Sequence, residues 1–210
     1  MLDIGFQGLI ARVITLVVAF SVHEFAHAWT ADYFGDDTPR SQGRLTLNPL
    51  VHLDPLGSLM LVVAGFGWAK PVMINPYALR QRSEAAPMLV ALAGPASNFL
   101  MAIAASIPAQ AGLIEVWGAG FLSLLLREFV LINLLLMLFN LIPVSPLDGE
   151  KIITYFLPPA GQAFFNQIRP YGSMILLALI FVLPSLGINV LQSVIVGPMR
   201  LLFNLLLGQV

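Results

Sequence analysis

Long apolar runs constrain this chain more than any other feature. Residues 9–33, residues 85–109 and a stretch ending near Pro143 each approach the roughly 20 residues that a helix needs to cross hydrocarbon. Water cannot satisfy backbone polar groups at that depth, so segments of this kind close their hydrogen bonds internally and fold as helices. Composition points the same way. Of 210 residues, 58% are hydrophobic and only 10% charged, against about 25% charged in soluble domains. So few charges cannot cover a soluble globule, and so much apolar surface excludes disorder. The expectation is an all-α membrane protein, a polytopic helix bundle forming one domain over residues 1–210.

The runs predict core helices over about 9–33, 85–109 and 128–144, and two C-terminal helices within 171–208, broken near Pro184-Ser185-Leu186-Gly187. Arg127-Glu128 interrupts the third run. Residues 113–127 therefore either lie along the membrane surface or extend that span. The segment 56–67 is apolar but too short for an ordinary span. It reads as a small re-entrant or β-hairpin element in the 32–84 loop. That makes five transmembrane helices, or six if this segment crosses. The N-terminus lacks a basic start and a cleavage site, and reads as a retained helix rather than a signal peptide.

Charge orients the bundle. If 56–67 does not cross, loops 32–84 and 145–170 share one side. They hold Arg40, Arg44, Lys70, Arg80, Arg82, Lys151 and Arg169, seven of the ten basic residues. The positive-inside bias makes that side cytoplasmic and puts the N-terminus outside. A net charge of −1 offers nothing to attract nucleic acid. The chain has no cysteine, which excludes disulfides, thiolate catalysis and Cys-ligated zinc, and leaves any metal to His, Asp or Glu. No internal repeat of the transporter kind is evident.

Against this background, His23-Glu24-Phe25-Ala26-His27 stands inside the first span. Imidazoles at i and i+4 lie on one helical face, a spacing that grips one metal ion, and Glu24 can reach a water beside it. Ionisable groups in a span cost roughly 2.5–3.5 kcal/mol for the worst types, so three within five residues need compensation. A bound cation provides it; a polar cluster satisfied by other helices is the bland alternative. Catalytic zinc usually takes three protein ligands and leaves a fourth position open. The remaining histidine is His52, in the loop, and the other carboxylate beside a span is Asp148, after Pro143 and Pro146. The HEFAH motif, Gly94-Pro95-Ala96-Ser97-Asn98 and the run from Asn140 to Gly149 all fall toward the same side of the bilayer.

In combination, His23-Glu24-x-x-His27, Ala93-Gly94-Pro95-Ala96-Ser97-Asn98 and Asn140-x-x-Pro143 leading to Leu147-Asp148-Gly149 resemble the site-2 protease family of intramembrane zinc metalloproteases. Gly67-Trp68-Ala69-Lys70-Pro71-Val72 resembles its compact members, without PDZ or CBS domains. The resemblance spans roughly residues 20–150. It implies a three-helix catalytic core, one zinc per chain on His23, His27 and Asp148, Glu24 as general base, and Asn98 and Asn140 near the substrate. Ser145 stands where many members carry another proline.

The function expected is an intramembrane zinc endopeptidase. Its substrates would be single-span transmembrane proteins or signal-peptide remnants, and its setting a prokaryotic inner membrane with the site toward the cytoplasm. The alternative is a metal-ion or proton transporter built on the same His and Asp groups. His52 reads as a loop histidine rather than an accessory ligand, and Asn133 as interhelical glue. Gly43–Leu47 is a candidate extended strand for clamping unwound substrate.

Overall fold

The computed structural model describes residues 5–57 and 67–208. Three long helices form the core: α1 (Phe6–Tyr33), and, after the loop, two more. In that loop lie the short helices α2 (Thr38–Ser41), α3 (Pro49–His52) and α4 (Pro76–Arg82). The other two core helices are α5 (Ala86–Gln110) and α6 (Phe121–Asn140). Helix α7 (Asp148–Phe156) follows, then α8 (Pro159–Ser185), with 3-10 and π turns along its length, and α9 (Val190–Leu207). Five of these, α1, α5, α6, α8 and α9, are long and apolar enough to cross a membrane.

Small residues set the spacing of the core. Ala11, Ala19, Ala28 and Ala31 of α1 are fully buried, as are Ala86 and Ala102 of α5. Without bulk at the interface the backbones approach closely, which is how helices associate when lipid is as apolar as their side chains. Hydroxyls inside the spans are satisfied locally: Thr15 donates to the Ala11 carbonyl and Ser21 to that of Val17.

The Arg127-Glu128 pair does not end a span. Helix α6 begins at Phe121 and runs through both residues, so part of the 113–127 stretch extends the span. Arg12 of α1 meets Glu128 at 3.2 Å. Arg127 donates to the carbonyls of Val116 and Gly118 and lies 5.6 Å from the Trp117 ring centroid. Each charge is therefore neutralised or solvated by protein. The fourth span also starts earlier than the apolar run suggests, at Pro159, with Arg169 inside it. Its amphipathic first turns hide it from hydropathy.

The loop between α1 and α5 is fastened by buried polar groups. Asp36 accepts from the backbone N–H of Thr38 and Asn75. Arg44 is 4% exposed and donates to the carbonyls of Val51, Lys70 and Pro71. Gly43–Leu47 is not a strand: it turns and bends, with Gly43 at φ +67°. Its own buried Arg44 ties the segment inward instead of leaving it as an edge. Among the described residues the β-pairing is one antiparallel bridge, Leu53 to Ala69. Most of the apolar segment 56–67 lies outside the described residues.

Helices α8 and α9 carry the chain from one end of the core to the other. Near the start, Arg169 pairs with Glu150 at 2.6 Å, beside the α6–α7 loop. At the finish, the Leu206 carbonyl accepts from Gln110 at the far end of α5, and Phe203 lies 6.4 Å from Trp117.

Candidate metal centre

The centre is built where α1, α5 and the start of α7 meet. His23 and His27 project from one face of α1. Opposite them, Val90, Gly94 and Asn98 recur every four residues on one face of α5. His23 Nδ1 lies 2.6 Å from Asn98 Oδ1, and His27 Nδ1 lies 2.7 Å from the Val90 carbonyl. Both partners are acceptors, so both Nδ1 atoms carry the proton and both Nε2 lone pairs turn inward.

Those lone pairs face each other. The two Nε2 atoms are 3.0 Å apart, and Asp148 Oδ2 lies 3.3 Å from that of His23 and 3.2 Å from that of His27. With both Nδ1 protons turned away, three acceptors converge, an arrangement that calls for positive charge among them. All three side chains are buried, and their ligand atoms lie within 4.8 Å of one another. Two imidazoles and a carboxylate suit zinc. Asp148 is 6% exposed, and burial disfavours its charged form, so the carboxylate too calls for positive charge beside it.

Two glycines make room. A Cβ at position 94 would strike His27 Nε2 and approach His23 Nε2 to 2.6 Å. A Cβ at position 149 would strike the Leu141 carbonyl and come within 2.5 Å of that of Ile142. Glycine is therefore what lets α5 press against both rings and α7 start directly behind α6.

Glu24 stands beside the cluster on a cavity of about 110 Å³, shared with His23, His27, Asn140 and Asp148. Its Oε2 accepts from the backbone N–H of Val72 at 3.1 Å, from the segment that follows Trp68. Lys151 also lines the cavity, with Nζ 3.8 Å from Asp148 Oδ1. Residue order gives no role to Val72, although it closes the 67–72 motif, and none to Val90, because both act through backbone atoms that residue type does not advertise. The i+4 spacing of Val90, Gly94 and Asn98 was the signal available for the second.

The sequence-selected residues separate into groups. His23, Glu24, His27, Asp148 and Asn140 share the cavity; the Asn140 carboxamide donates to the Leu136 carbonyl. Asn98, expected near substrate, is fully buried. Its Oδ1 meets His23, and its Nδ2 donates to Asn133 Oδ1 at 2.9 Å. By accepting that bond from α5 Asn133 does join helices, as expected of a mid-span asparagine, while its own Nδ2 donates within α6 to the Phe129 carbonyl. His52 is not brought to the centre: fully buried in the loop, it donates from Nε2 to the Thr46 carbonyl.

Known proteins give this geometry a family. The chain is 44% identical over 179 residues to "Putative zinc metalloprotease YwhC" of Bacillus subtilis, a match covering 82% of this chain and 80% of that protein. It is 32% identical over 201 residues to "Putative zinc metalloprotease Rip2" of Mycolicibacterium smegmatis, covering 88% and 71%. With the protein of the same name from Mycobacterium tuberculosis H37Rv the identity is 31% over 198 residues, again covering 88% and 71%. No family model and no solved structure matches. An integral membrane bundle with zinc as its metal, the chain is a zinc metalloprotease and belongs to the site-2 protease family.

Proposed function

We propose that the protein is an intramembrane endopeptidase that hydrolyses peptide bonds in transmembrane segments. His23, His27 and Asp148 would hold the zinc, and Glu24 would serve as general base. The observation that carries this is the meeting of the two Nε2 atoms and Asp148 Oδ2 within 3.3 Å, on a cavity that Glu24 shares. When bound, zinc supplies Lewis acidity toward a carbonyl and toward water.

The chain's own groups supply the rest. Asn98 and the Val90 carbonyl hold the two imidazoles in the tautomer that presents Nε2. The Val72 amide anchors Glu24 Oε2, which leaves Oε1 to take a proton from attacking water and return it to the leaving amine. Asn140, on the cavity wall, would hydrogen-bond the unwound substrate backbone. Asn98 would touch substrate only after letting go of His23. His52 would stay a loop fastener.

Basic residues in the loops beside the centre support a cytoplasmic active site and an outside N-terminus. The family, with relatives in Bacillus subtilis and Mycolicibacterium smegmatis, supports a prokaryotic cell membrane. The substrates that fit are single-span membrane proteins or signal-peptide remnants, because a buried cavity among spans admits one unwound helix most simply. The transporter alternative gains nothing from a cluster whose general base lies beside the metal ligands.

Purified wild type and Glu24→Gln, assayed for zinc and for cleavage of a transmembrane substrate, test the reading. About one zinc in each protein is expected, with cleavage in wild type alone. Equal cleavage by both, or none by a zinc-loaded wild type, overturns it.

A further inference from the structure

Helix α9 carries a feature that a purely lipid-facing helix does not need. Ser193, Gly197, Arg200 and Asn204 recur at intervals of four, three and four residues, which places them in one narrow stripe of an α-helix. All four are exposed, while Leu202, Phe203, Leu206 and Leu207 belong to the side that packs on the core. Among the described residues, the Arg200 guanidinium and the Asn204 carboxamide have no hydrogen-bond or ion-pair partner. A Cβ at position 197 would meet nothing within 4 Å.

Arg200 also lies well inside the span. With Val190 and Leu207 as the ends of α9, it sits about 15 Å from one and about 10 Å from the other at 1.5 Å rise per residue. Charged residues within spans face protein or water and pair with other groups, because hydrocarbon does not solvate them. Snorkelling to the headgroups is the usual escape. Here the nearer end is the C-terminal one, and helical side chains lean toward the N-terminus, so that route runs against the side chain's own direction.

We propose that this stripe docks a membrane-spanning helix of another protein, one that carries a single Asp or Glu at the depth of Arg200. The cation selects the partner's charge. Gly197 lets the partner backbone approach closely, and Ser193 and Asn204 add polar contacts along the same line. A second copy of this chain fits poorly. Copies inserted alike in one membrane would pair this face symmetrically and set Arg200 against Arg200. The stripe is distinct from the metal centre, so the inference stands apart from the assignment of ligands.

The full chain, reconstituted in liposomes with a fluorescent label, is titrated with labelled polyleucine helices that differ at one position: Asp, Leu or Lys at Arg200's depth. Energy transfer reports association. The expected result is tighter binding of the Asp helix than of the Leu helix, on the order of tenfold. Arg200→Leu removes that difference, and Arg200→Glu transfers the preference to the Lys helix. Gly197→Leu, which blocks close approach without touching charge, also removes it. Zinc content and substrate cleavage stay at wild-type values in all three variants, which shows that they fold. Equal binding of the three helices, as expected of an arginine that only reaches headgroups, overturns the proposal. So does transfer between copies of the chain that exceeds transfer to the Asp helix and disappears in Arg200→Leu.

Discussion

His23 Nδ1 lies 2.6 Å from Asn98 Oδ1, and that contact commits the ring's one proton to α5. The chain of contacts continues from Asn98 Nδ2 to Asn133 on α6 at 2.9 Å, with both asparagines fully buried. Partners that orient metal-binding histidines typically govern affinity by about 10–100-fold. Asn98→Leu is therefore expected to weaken zinc binding by that order, measured by competition with a chelator. Asn133→Leu should weaken it less, since Asn98 keeps its contact with the Ala19 carbonyl. Unchanged affinity in Asn98→Leu would show that the contact does not hold the ring.

Gly94 presses against both imidazoles, so Gly94→Ala should drive the histidines apart. Alanine favours helix over glycine by roughly 1 kcal/mol, which keeps the helix itself intact, while overpacking costs about 1–3 kcal/mol locally. Helicity by circular dichroism should stay constant as bound zinc falls below one per chain. Full zinc occupancy in the variant would contradict this account of the glycine.

The Val72 amide holds Glu24 through Oε2. Val72→Pro deletes that N–H, while Val72→Ala keeps it. A hydrogen bond to a charged group is worth about 1.5–3 kcal/mol, so cleavage should drop by roughly 10–100-fold in the proline variant alone. Zinc content should be equal in both, because the partners that hold the two imidazoles are Asn98 and the Val90 carbonyl, not Val72. Matching rates in the two variants would remove Val72 from the mechanism.

Arg12 and Glu128 join α1 to α6 at 3.2 Å. Losing one member leaves the other without its counter-charge, which is worse than losing both. The double variant should lower thermal stability in detergent by less than the sum of the losses in Arg12→Leu and Glu128→Leu. The coupling should fall within about 0.5–3 kcal/mol. Additive effects would mean that solvent, not the pair, stabilises these charges.

Much of the centre was legible in the residue order. His23, Glu24 and His27 share a helix, so the 3.6-residue period alone puts the two rings on one face. Asp148 follows the prolines that end α6, and alternation of the spans puts it at the same end of the bundle as the histidines. The segment Gly43–Leu47 and residue His52 were less legible. Their places depend on Arg44 and on the Thr46 carbonyl, buried contacts inside a loop that has no periodicity to read.

Residue types and their spacing determined the all-helical membrane bundle, the face of α1 that carries both histidines and the gathering of basic residues in two loops, because each depends on local geometry or on solvation in lipid. Only the packed structure decided that Asn98 holds a histidine, that Asn133 stands behind it, that the Val72 amide anchors Glu24, and that Arg12 finds Glu128. Those relations depend on the rotation and depth of one helix against another. They are set by the summed fit of many side chains, and no single stretch of sequence carries that sum.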